Sequence, residues 1–326
     1  MKNKRKSIDF INSICASRSQ SLLGEQRLIR MAEAESLALA FDVLKEGAFG
    51  GEINFSCADF ERAIENEENL LNAFVKEYAP SDEIEGYCLA PYDFYNAEVM
   101  LKCKKLGFAY ENYVGPIGAF SLGELQLLAN GESQAVFPKE LINAVKEGAL
   151  ALENQGGGMA IGVIFTRAKY EYLTRIVKTG YLREIISKEI DGLNLCSAIR
   201  ANEVELAMAQ YIKGGELSKD AVKAIALRDK NALHTLISKD CWIKDIALRA
   251  IDIANSGKPL VETERELNSL SAKRMIEGRY TESGGTYPFM LYYYKRRNEI
   301  ACVRTVLTGK ANGLLSEEIK RRLVTV

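Results

Sequence analysis

A single histidine, His234, leaves this chain of 326 residues too poor in imidazole for a His-based metal site or a Ser-His-Asp apparatus. With Ser238 one helical turn after it, His234 reads as an ordinary helix residue. Cysteine is no richer a source of chemistry. The 7 cysteines are odd in number, irregularly spaced and without a Cys-x-x-Cys pair, which predicts reduced thiols in a cytoplasmic protein and no zinc. Charge of one sign is missing too: 43 basic and 44 acidic residues leave a net charge of -1, which excludes a global attraction to nucleic acid or anionic lipid. Any such contact must be local.

Long apolar runs are absent. No window offers the roughly 18 charge-poor apolar residues of a spanning helix, and MKNKRKSIDFINSICASRS lacks the apolar core of a secretory signal. A soluble chain is expected, with any membrane link peripheral. Nucleotide loops fail on spacing: Gly156–Gly158 with Gly162 has no buried strand before it and reads as a helix-to-helix hinge. LTGKANG around Lys310 holds Arg304 and Ala311 where a Walker loop needs Gly and Ser or Thr.

What is present is helical periodicity. Leu28, Met31, Leu37, Phe41 and Leu44 mark one amphipathic helix stopped near Gly47, and comparable patterns recur to EEIKRRLV, whereas period-2 alternation is hard to find. The 6 prolines should fall between helices. An all-α chain is predicted, and its length suggests two or three domains of about 100 residues each.

Three stretches share a design: YDFYNAEVMLKCKKLG from Tyr92, EIDGLNLCSAIRANEV from Glu189 and YYYKRRNEIACVRTVL from Tyr292. In each, an Asn precedes a base by six residues: Asn96 with Lys102, Asn194 with Arg200, Asn298 with Arg304. Downstream, Ser121, Ser218 and Ser316 each follow a Gly and an apolar residue and should cap a helix, with Glu124 completing a capping box. The serines lie 97 and 98 residues apart. Three helical repeats follow, spanning 1–133, 134–240 and a shortened 241–326. The Asn-to-base spacing alone is weak, because Asn12 with Arg18 and Asn268 with Arg274 match it outside the register. The base also lies about 120° around the helix from the Asn, so the pair reads as a buried packing signature and not a ligand site. Repeated packing units build surfaces more often than one catalytic pocket.

Lys295 to Arg322 carries eight bases against three acids. Beside Tyr292–Tyr294 it resembles a nucleic-acid patch, but the neutral chain and the lack of a known motif favour a protein-docking rim with Arg296, Arg297, Lys310, Arg321 and Arg322 as contacts.

The segment from Pro288 to Leu323, PFMLYYYKRRNEIACVRTVLTGKANGLLSEEIKRRL, resembles the C subunit of prokaryotic V-type (A-type) ATPases, the counterpart of the eukaryotic d subunit. Phe137–Asn202 and the opening helices are similar to the same family. Departures are Thr166 and Arg167 in place of an acid, Lys295 in place of the Asp seen at Asp93 and Asp191, and Lys102 in place of Arg. The resemblance implies three similar helical domains in a pseudo-threefold funnel. It also implies a non-catalytic rotor subunit without cofactor, between the central axle of D and F type subunits and the proteolipid ring, peripheral on the cytoplasmic face. The competing expectation is a helical scaffold for soluble partners.

Overall fold

Serine and aspartate side chains start several helices of this chain by accepting from backbone N–H groups that would otherwise lack a partner. Ser7 accepts from Phe10 N, Ser36 from Leu39 N, Ser218 from Ala221 N and Asp229 from Ala232 N. Ser121 and Glu124 form the reciprocal capping box anticipated from their spacing. The computed structural model describes residues 5–133, 135–153, 157–201, 203–278 and 284–323. Among them the chain is all-α, with no strand.

In chain order the helices are α1 (Ile8–Ser19), α2 (Gly24–Glu33), α3 (Leu37–Lys45), α4 (Phe60–Tyr78), α5 (Asp82–Leu106), α6 (Leu122–Asn130), α7 (Lys139–Glu153) and α8 (Gly157–Ile176). They continue as α9 (Gly180–Ala201), α10 (Val204–Gln210), α11 (Lys219–Ala226), α12 (Lys230–Leu236), α13 (Lys244–Asn255), α14 (Val261–Glu277), α15 (Tyr287–Ala311) and α16 (Ser316–Arg322). The amphipathic run expected to continue from Leu28 to Leu44 is two helices. Ser36 caps the second, and a cap competes with an unbroken helix at that position. Pro91 corrects a second expectation, for it lies inside α5. It removes the backbone donor that the Tyr87 carbonyl would otherwise receive, and the neighbouring Cys88 carbonyl accepts from Tyr293 Oη at 2.9 Å. The hinge read at Gly156–Gly158 lies partly outside the described residues; Gly157 and Gly158 open α8.

Two compact units emerge. Unit 1 takes residues 1–100, 109–133 and 275–326, and unit 2 takes 101–108 and 134–274. In unit 1, α15 is buried on most sides by α1, α2, α3, α4 and α16, and exposes a stripe that includes Arg297, Ala301, Thr308 and Ala311. Phe74 of α4 stacks on Phe289 with ring centroids 5.2 Å apart and meets the edge of Tyr292 at 4.8 Å. Burying such rings contributes about 1.5–3 kcal/mol each.

In unit 2, α7 and α8 pack along each other and α9 touches α8, α10, α11 and α13. Its core includes Leu195, Ile199, Val222, Ile225, Leu233, Ile243 and Ile251. The buried Lys244 ammonium donates to the carbonyls of His234 at 3.2 Å and Ile237 at 2.8 Å, which closes the C-terminal end of α12. His234 itself is exposed.

Candidate functional site

Asn96 and Asn194 are buried, and the structure shows what they hold. Asn96 Nδ2 donates to Gly115 O at 3.0 Å, and Gly115 N donates back to Asn96 Oδ1 at 3.2 Å. One turn earlier on the same helix face, the Asp93 carboxylate accepts from Ala119 N at 3.1 Å and Phe120 N at 3.3 Å. In unit 2 the arrangement recurs. Asn194 exchanges bonds with Ile212, at 2.8 Å to its carbonyl and 2.9 Å from its N–H. Asp191 accepts from Glu216 N at 2.9 Å and Leu217 N at 2.8 Å. Each Asp-x-x-Asn therefore clamps a returning loop whose next residue is the capping Ser121 or Ser218. Gly118 and Gly215 make room: a Cβ at either would run into Asp93 Oδ1 or Asp191 Oδ1.

The third stretch is built differently. Lys295 replaces the aspartate, Asn298 donates to Cys302 Sγ at 3.8 Å, and Ser316 is the first residue of α16 rather than its cap. The expected cap fails there because Leu315 occupies the N-cap position and the Ser316 hydroxyl accepts from Lys310 Nζ at 3.0 Å.

The six-residue bases do not join their asparagines. Arg200 pairs with Glu264, and Arg304 reaches Glu68 at 3.0 Å and Glu61 at 3.4 Å. Lys102 is half-buried on α5. Of the basic rim, Arg297, Arg321 and Arg322 are exposed, with Arg297 5.9 Å from the Tyr92 ring centroid. Lys310 is half-buried, and that burial lowers its pKa.

Arg296 does not belong to the surface. It is 4% exposed, with Nη1 2.6 Å from Glu299 Oε2 and Nε 3.2 Å from Glu67 Oε1, because a buried guanidinium needs carboxylate partners. Nη2 also donates to Ser21 Oγ at 3.1 Å. Glu67 in turn accepts from Gly50 N at 2.8 Å, and Glu299 accepts from Leu23 N. This network joins α4 and α15 to two loops. Burial raises the Glu299 pKa, while the Arg296 cation and the Leu23 N–H pull it down. Beside it lies a cavity of about 170 Å³ lined in part by Arg18, Ser21, Glu67, Tyr292 and Arg296, below the 300 Å³ or more typical of small-molecule sites.

Burial raises Asp93 to about 7 and Asp191 to about 6, against the lowering effect of their backbone donors. Both values lie above the ordinary aspartate value of 3.8. The native state therefore holds these protons more tightly than the unfolded chain. Stability from them is fully present at acid pH and is lost as pH rises from about 4 to 7. Urea unfolding of wild type and Asp93→Asn across that range should show the wild-type advantage narrowing with pH; a constant difference would contradict the assignment.

Sequence reasoning noticed Asp93 and Asp191 only as the aspartates whose counterpart in the third stretch is Lys295, and it missed Glu67 and Glu299. Their spacing to Asn96, Asn194 and Arg296 was a usable local signal for all but Glu67. Among the described residues no group of three or more His, Cys, Asp or Glu is placed to hold a metal, and no helix is long and apolar enough to cross a membrane.

The model of the ATP synthase (C/AC39) subunit family matches residues 11–322, from α1 through α16 and across both units. The chain belongs to that family. This C/AC39 protein is similar to the C subunit of the V-type sodium ATPase of Enterococcus hirae, 22% identical over 326 residues, covering 96% of this chain and 97% of that one. It is also similar to the C subunit of the A-type ATP synthase of Haloquadratum walsbyi, 28% identical over 158 residues, 45% of this chain and 43% of the relative. Both Asp-x-x-Asn clamps and the Arg296 network of this C/AC39 protein lie inside the family match.

Proposed function

We propose that this chain is the non-catalytic central-stalk component of a V/A-type proton- or sodium-translocating ATPase, seated between the D and F type axle and the proteolipid ring and transmitting torque. The observation that carries this reading is the family match over nearly the whole chain. Its location would be peripheral on the cytoplasmic face. In this reading 1–133, 134–240 and 241–326 are three helical repeats of one coupling piece.

Torque transmission requires a body that does not yield internally and contacts that form and orient reversibly. The two clamps fix irregular loops to helices through pairs of hydrogen bonds to buried side chains, which supports the first requirement. Exposed Arg297, Arg321 and Arg322 support the second, as orienting charges at a docking rim. The half-buried Lys310 lies between them in sequence.

Gentle purification of the membrane enzyme should recover this chain with an axle-and-ring subcomplex. Its removal should leave ATP hydrolysis by the peripheral sector while abolishing ATP-driven ion movement. The triple variant Arg297→Gln, Arg321→Gln, Arg322→Gln should dissociate at lower salt than wild type. Absence of the chain from that subcomplex would refute the reading.

A further inference from the structure

Helix α1 of unit 1 is held only lightly by its apolar residues. It buries two of its twelve residues, Ile11 and Cys15, where α2 buries three of ten and α3 three of nine. Its sequence, IDFINSICASRS, is also a poor helix by itself: Ala16 and Arg18 are strong helix formers, and the other ten are Ile, Phe, Ser, Asn, Asp and Cys. The hydroxyls of Ser13 and Ser19 bond back to the carbonyls of Asp9 and Cys15, at 2.9 and 2.7 Å, which weakens it further. A free helix of this length is marginal even with the best composition.

Cations fasten both of its ends. Ahead of the helix, Arg5 donates to Ala79 O at 2.6 Å and pairs with Glu85 at 2.7 Å and with Asp82, while Lys6 pairs with Glu77. Lys6 Nζ also lies 4.0 Å from the Tyr78 ring centroid. At the last turn the Arg18 guanidinium lies 4.9 Å from the Phe74 centroid and 5.6 Å from that of Tyr78. These partners sit at the end of α4, in the turn after it and at the start of α5. Arg18 and Ser21 are also walls of the cavity of about 170 Å³, facing Leu71, Tyr292 and Arg296.

We propose that α1 is a charge-fastened strap, which opens and melts as a unit while the rest of unit 1 stays folded. Opening removes Arg18 and Ser21 from the cavity wall and turns the cavity into a groove along α4 and α15 that includes Leu71, Phe74 and Tyr292. The two apolar anchors set how often the strap opens, as expected of an element with few buried contacts. The cations set how that frequency answers to ionic strength, because their ion pairs are partly exposed and screened by salt. The strap is a property of the isolated chain and holds whether or not the rotor reading does.

Cys15 in the strap and Cys88 in α5 are both buried, so iodoacetamide alkylates each only from an opened state. In the full chain, followed by peptide mass spectrometry at about 50 mM salt, Cys15 should react at least about tenfold faster than Cys88. Raising salt to about 0.5 M should speed Cys15 at least about threefold and leave Cys88 nearly unchanged. Arg5→Gln with Lys6→Gln should give the faster Cys15 rate at low salt and remove most of the salt response. Arg30→Gln, which breaks the exposed pair with Glu46, should do neither. Equal rates at Cys15 and Cys88 would mean that α1 opens only when the whole unit unfolds, and would overturn the proposal. A Cys15 rate indifferent both to salt and to the Arg5 and Lys6 substitutions overturns it as well.

Discussion

Replacing Arg296 with Met should cost about 3–5 kcal/mol of stability, the range seen when one member of a buried ion pair is removed. Glu67 and Glu299 would be left inside unit 1 with no cation between them. Their other partners are backbone N–H groups of Gly50 and Leu23, and these do not balance two buried carboxylates. At roughly 2–4 °C per kcal/mol for a unit of this size, thermal unfolding followed by circular dichroism should move down by about 10 °C. Adding Glu67→Gln and Glu299→Gln to Arg296→Met should recover much of the loss, since the uncompensated charge then disappears. A single variant within about 1 kcal/mol of wild type would show that the network is not held as described.

Gly215→Ala should be the most damaging glycine substitution in unit 2, at about 2–4 kcal/mol. The new Cβ would overlap Asp191 Oδ1, so the loop must lift from α9 and leave Glu216 N and Leu217 N without their acceptor. Each buried donor left unpaired costs about 1–3 kcal/mol. Hydrogen exchange at Leu217 should accelerate with the stability loss, and the Ser218 cap just beyond should fray with it. Gly123→Ala is the matched control. Nothing lies within 4 Å of its would-be Cβ, and it sits in α6, where alanine gains up to about 1 kcal/mol over glycine. If both substitutions are neutral, the clamp contributes nothing to stability.

The helical class was legible because periodicity and capping are local, and Ser121, Ser218 and Glu124 do what their spacing implies. The buried state of Asn96 and Asn194 was legible from the apolar faces around them. Their partners were not, because the loops they hold return 18 or 19 residues later through backbone groups, which carry no sequence signature. Arg296 was misread for a related reason: Glu67 lies on another helix far along the chain, and a charge run gives no hint of which cation turns inward. Pro91 and Ser36 show the limits of single-residue rules. A proline sits inside α5, and a serine within an apolar pattern caps the second of two helices where one was expected.

The two ends of the chain meet in unit 1, since α15 fills the space among α1, α2, α3 and α4. During synthesis those first helices leave the ribosome long before α15 is made, with apolar faces still uncovered. Residues 134–274 of unit 2 emerge meanwhile and can fold. A transcript broken shortly before Tyr287 would therefore yield a protein with unit 2 complete and unit 1 unfilled, exposed to aggregation and to proteases.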